Sequence, residues 1–211
     1  GSSQITDGGG GDGGTPATSV QLHSLVTGSA FPDIVKLTRI VVDDSRKKAY
    51  FAASLSRYIG VINTQTLEMV DTIDSGVDGF VARMLFLNPG NGILYMFVIE
   101  TGKLHRIDPV SKSVSAPIAA QRGPAFDTNT NRLYISEPPD KIRIYNDQLQ
   151  AVDVITGVTS PGEIFIDSAQ GKLYLVNSAQ PPQAGVSVYN LSTKQFIRKY
   201  SMPSGFDGLP K

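Results

Sequence analysis

A tyrosine returns through this chain on a near-constant schedule. Tyr50, Tyr95, Tyr134 and Tyr174 follow one another at spacings of 45, 39 and 40 residues. Seven positions before them stand Asp43, Asn88, Asp127 and Asp167, and 12 to 16 positions after them stand Asn63, Asp108, Asn146 and Asn190. A period of about forty residues, with turn-forming residues at fixed offsets, is the mark of a repeat architecture. Each period is then one supersecondary unit that buries its apolar faces against its neighbours.

The third period shows what the unit is. GPAFD (123–127) is a short apolar run, and TNTN (128–131) is a turn cluster. RLYIS (132–136) alternates around Leu133 and Ile135, EPPD (137–140) breaks it, and KIRIYN (141–146) alternates again. A second turn leads into LQAVDVI (149–155). Short alternating runs between turn signals predict a four-stranded antiparallel meander. The other periods repeat it. First strands are expected at 39–43, 83–87, 122–126 and 162–166, and fourth strands at 67–74, 112–118, 149–155 and 195–201. Four-stranded meanders at this period predict an all-β fold, a β-propeller of which about four blades are visible. The blades fall at about 38–75, 83–119, 122–156 and 162–203. The chain has no tryptophan, so the Trp-Asp signature of the competing forty-residue repeat is missing.

RLYIS (132–136) and KLYLVN (172–177), followed by IRIYN (142–146) and VSVYN (186–190), resemble the YVTN-type repeats of bacterial and archaeal propellers. KKAYFAAS (47–54) and ILYMFVIE (93–100) match that pattern less well. The resemblance covers about residues 30–203. It implies the propeller fold and a surface or exported binding protein. It implies no particular activity, because the fold hosts many.

Charge and composition remove several function classes. Lys plus Arg and Asp plus Glu both number 19, so no basic footprint for nucleic acid or an anionic membrane stands out. Cysteine is absent, which excludes a thiol nucleophile, a disulfide framework and a thiolate metal site. The longest apolar run, residues 93–99, is seven residues long. A membrane-spanning helix needs roughly 20.

Residues 1–18 are Gly/Ser-rich and cannot bury a core, so they read as a flexible leader. They resemble the tether that follows the lipidated cysteine of bacterial lipoproteins. That implies a lipid anchor upstream of Gly1 and an exported protein, periplasmic or on the cell surface. A cloning scar plus linker is the alternative. Residues 19–26 (SVQLHSLV) read as a lone fourth strand at the start of the 19–211 propeller region. The expectation is an incomplete or shared ring, completed by additional sequence or another chain, with pairing through open blade edges. A closed four-bladed ring is the alternative.

No catalytic constellation emerges. The two histidines, His23 and His105, lie far apart in the repeat frame, and no metal site or cofactor is expected. Asp43-Asp44 and the Asp71, Asp74, Asp78 group are the densest acidic sets. None has a calcium-loop spacing, and Asp43 reads as a turn cap. One set recurs across blades. The starts of the four innermost strands carry Arg39, Arg83, Arg122 and Glu163, with Asp33, Asp78 and Asp207 in the loops ahead. Arginines converging at a channel mouth present fork-shaped donors that suit a carboxylate or phosphate. Alternatively they pair with Glu163 and the loop aspartates and only rim the ring. The expected function is a non-enzymatic binding or scaffold propeller that takes a protein partner or a small anionic ligand on one face. The alternative is a lactonase-like hydrolase with its site at the central channel.

Overall fold

The computed structural model describes residues 37–53, 56–77, 83–177 and 184–201. The leader at 1–18 and the lone strand expected at 19–26 lie outside the described residues.

Four four-stranded sheets follow one another along the chain, and no helix occurs among the described residues. The first holds β1 (Leu37–Asp43), β2 (Lys48–Ala53), β3 (Tyr58–Asn63) and β4 (Met69–Asp74). The second holds β5 (Arg83–Leu87), β6 (Leu94–Val98), β7 (Lys103–Ile107) and β8 (Ile118–Ala119). β9 (Ala125–Asp127), β10 (Arg132–Glu137), β11 (Lys141–Tyr145) and β12 (Ala151–Thr156) form the third. β13 (Pro161–Asp167), β14 (Lys172–Asn177), β15 (Gly185–Asn190) and β16 (Phe196–Ser201) form the fourth. Strands are neighbours in chain order in every sheet, and all pairs are antiparallel. This is the meander that the alternating runs predict.

The turns explain the recurring Asp and Asn. Between the first and second strands the acid or amide folds back on its own turn. Asp43 accepts from the Arg46 N–H at 3.1 Å, Asn88 from Gly90 at 3.0 Å, Asp127 from Asn129 at 3.2 Å and Asp167 from Gln170 at 2.9 Å. Between the third and fourth strands the Oδ1 of Asn63, Asp108, Asn146 and Asn190 each accepts two backbone N–H groups at 2.9–3.3 Å. Such side chains satisfy turn donors that no strand partner reaches. Asp43 is therefore a cap, with its second oxygen on the Arg46 guanidinium at 2.7 Å.

The core lies between sheets. Successive residues on the second strand point to opposite faces, so each sheet has two apolar sides. Tyr50, Ala52 and Ile59 of the first sheet pack with Leu85, Leu94 and Met96 of the second. Tyr95 and Phe97 then meet Leu133 and Ile135 of the third. Tyr134 and Ile144 meet Leu173 and Leu175 of the fourth. The repeated tyrosines hold one register: Tyr50 opposes Val41, Tyr95 opposes Phe86, Tyr134 opposes Ala125 and Tyr174 opposes Phe165. The first three are 3%, 0% and 4% exposed because the following sheet covers them. Tyr174 is only partly buried.

Two strands are shorter than the alternation suggests. The fourth strand of the second blade, expected at 112–118, reduces to Ile118–Ala119 plus a single bridge between Ile107 and Val114. Pro117 interrupts it by removing a ladder donor. The first strand of the third blade, expected at 122–126, begins only at Ala125, after Gly123-Pro124. In both places proline outweighs the apolar pattern.

Candidate functional site

The innermost strand of each sheet is β1, β5, β9 or β13, and the space between these four strands holds the candidate site. A cavity of about 330 Å³ is lined by Arg39, Met84, Phe86, Phe97, Arg122 and Glu163, among others. It adjoins a hollow of about 650 Å³ that shares Arg39, Phe86 and Glu163 and continues past Phe126 and Phe165. Three of the four residues singled out in the sequence thus border one cavity. Arg83 begins β5, but its side chain lies outside the described residues, as do the loop aspartates Asp33, Asp78 and Asp207.

Their places in the strands are less uniform than the repeat frame implies. Arg39 and Glu163 are the third residues of β1 and β13. Arg122 sits ahead of β9, in the stretch where Pro124 delays the strand. Arg39 is anchored: its guanidinium carbon lies 5.1 Å from the centroid of the Phe86 ring. A cation held over an aromatic face is attracted by the ring quadrupole. The ring in turn lies on Gly123, where an added Cβ would come within 2.0 Å of it. Glycine at 123 therefore seats Phe86, and Phe86 seats Arg39.

Arg122 and Glu163 are exposed, and no ion pair within 4 Å joins them to each other or to Arg39 among the described residues. Across the cavity, then, these three charges are not paired with one another. Beneath them the floor is apolar, with Met84 and Phe86 half-buried and Phe97 buried. The sequence points to the charges, because equivalent strand starts align. It hides the floor, because alternation shows which residues share a face but not which of them reach the mouth.

A second hollow of about 600 Å³ lies between the third and fourth sheets, on the side of the turns. The Lys194–Asp153 ion pair spans it, and Asp127 and Asn190 on its wall already accept turn N–H groups. The ion pair there joins two blades, and Asp127 and Asn190 serve their own turns. Among the described residues no three His, Asp or Glu side chains gather as a metal-binding set.

Four successive four-stranded antiparallel sheets, packed face to face, define a β-propeller. A chain of Kuenenia stuttgartiensis hydrazine synthase is similar in structure, with a TM-score of 0.64 at 11% sequence identity. The match covers 81% of this chain and 50% of that one, so this chain spans about half the length of that relative. At that identity the likeness shows the fold alone. No family model and no curated protein matches the sequence.

Proposed function

We propose that this propeller is a binding module without catalytic machinery of its own, and that it takes a small anionic ligand where its innermost strands begin. The observation that carries this reading is the cavity lined by Arg39, Arg122 and Glu163, whose charges are not spent on one another. A guanidinium offers several N–H donors in a plane, matched to two carboxylate or phosphate oxygens. The volume, about 330 Å³, is at the small end of ligand pockets and suits a metabolite-sized molecule. A lactonase-like hydrolase would need carboxylate or amide ligands clustered at the channel, whereas the cavity is lined by Arg39 and Arg122 beside the single carboxylate of Glu163. The YVTN-like repeats and the Gly-rich leader support an exported protein tethered at the surface, where a propeller face would meet ligand or partner protein. No helix of the described residues is long and apolar enough to cross a membrane.

The test is a calorimetric titration of the protein with acetate, 4-methylpentanoate and sulfate at low and high salt. Binding should weaken as salt rises, because exposed charges are screened over about 10 Å at 0.1 M. It should fall at least fivefold in Arg122→Ala. Equal binding by wild type and Arg122→Ala would remove the anion site from this face.

A further inference from the structure

The cavity does not offer positive charge alone, and this bears on what it takes. Arg122 and Arg39 stand on one side of the charge balance and Glu163 on the other, all bordering the same 330 Å³ space. A simple anion seated on the arginines would also face the Glu163 carboxylate, which repels it. A simple cation seated on Glu163 would face two guanidiniums. A ligand carrying both signs on neighbouring groups meets neither penalty. The floor adds a third requirement, since Met84, Phe86 and Phe97 offer only apolar contact.

From this we infer that the ligand is a free α-amino acid with an apolar side chain. The inference rests on the anion-binding reading above and narrows it. Arg122 holds the α-carboxylate and Glu163 accepts from the α-ammonium. Arg39 is stacked over Phe86 and supplies positive potential from a fixed position. The side chain lies on Met84, Phe86 and Phe97. A peptide fits poorly, because its carboxylate and ammonium are far apart unless both ends of a very short chain enter together.

The experiment compares three probes of one shape by calorimetry: L-leucine, 4-methylpentanoate, which lacks the ammonium, and 3-methylbutylamine, which lacks the carboxylate. Acetate serves as the probe without an apolar body. L-Leucine should bind at least tenfold tighter than 4-methylpentanoate, and the amine should bind weakest. Glu163→Gln should bring L-leucine down to the level of 4-methylpentanoate while leaving 4-methylpentanoate unchanged or tighter. Arg122→Ala should weaken both. Both substitutions are at exposed positions, and a thermal melt of each variant verifies that it is folded. If 4-methylpentanoate binds as tightly as L-leucine, the amino-acid assignment is overturned and the anion site stands. If acetate matches 4-methylpentanoate, the apolar floor plays no part and the assignment is likewise overturned. If none of the carboxylates binds and sulfate does not bind either, the anion site falls with it.

Discussion

Leu67, Lys112, Leu149 and Lys194 close the four turns between third and fourth strands, and all sit at positive φ, between 57° and 60°. Backbone of that kind costs an L-residue about 1–2 kcal/mol relative to glycine. Leu67 is 42% exposed and belongs to no core cluster among the described residues, so little packing opposes its removal. Leu67→Gly should raise stability by about 0.5–1 kcal/mol, the strain relieved less the extra freedom glycine gives the unfolded chain. A chemical-denaturation midpoint that falls would show that Leu67 packs in solution. The same turns hold a second test, because Asp108 stands where the other blades carry Asn63, Asn146 and Asn190. The Val110 N–H, and after burial has opposed it the Ser111 N–H, hold its carboxyl below the ordinary carboxylate range. A lowered folded value means that Asp108 stabilises the fold above the unfolded value of about 3.9. That contribution is lost as pH falls through the folded value. Asp108→Asn should leave stability at pH 7 nearly unchanged and flatten the decline below about pH 4. The difference is on the order of a few tenths of a kcal/mol, since solvent screens a group that is partly exposed. The spacing of these caps is legible in the sequence because their chemistry is local. The positive φ of two leucines and two lysines is not, because neither residue type marks a left-handed turn.

At the scale of strands, sheets and loops, alternation shows where most strands run, and proline shows where it misleads. Pro117 and Pro124 shorten strands in two successive blades. The second of these changes helps make the site, because the loop it leaves carries Arg122 and Gly123 to the cavity. Strand periodicity can show which face of β5 carries Met84 and Phe86 but not that Phe86 will lie on a glycine of the next blade. That contact depends on how two sheets meet, a relation between residues 37 positions apart with no local signature. Gly123→Ala tests it. A methyl group there would overlap the Phe86 ring, and small-to-large changes in packed positions cost about 1–3 kcal/mol. The ring must tilt, and with it the platform under Arg39. The variant should therefore lose both stability and affinity for a carboxylate probe, whereas Phe86→Leu should lose affinity with a smaller change in stability. Full affinity in folded Gly123→Ala would show that Arg39 does not depend on the ring.

For the whole molecule, the periodic tyrosine is the clearest gauge of how the blades are covered. Three of the four are sealed by the sheet that follows, and the fourth is not. On the same side of the last sheet Phe165 is 54% exposed and Tyr200 55%, and no core cluster among the described residues joins this face to another sheet. On the side of the first sheet that faces away from the second, Ile40 and Val42 are about half exposed as well. Identical sequence frames thus meet different surroundings, and energetic consequences should follow the surroundings. Removing a fully buried aromatic side chain costs about 3–5 kcal/mol. Tyr134→Ala should show a loss of that size, while Tyr174→Ala should lose about a third as much, because the ring it removes is already partly in water. Denaturation of both variants, beside a sedimentation run of the parent chain, reads the result. A smaller loss at 174 with a mass of one chain means that the last face stands open in solution. Losses of equal size would contradict an open face. The sedimentation run would then show whether a second copy covers it, by a mass above 22.6 kDa, or whether the cover comes from within the chain.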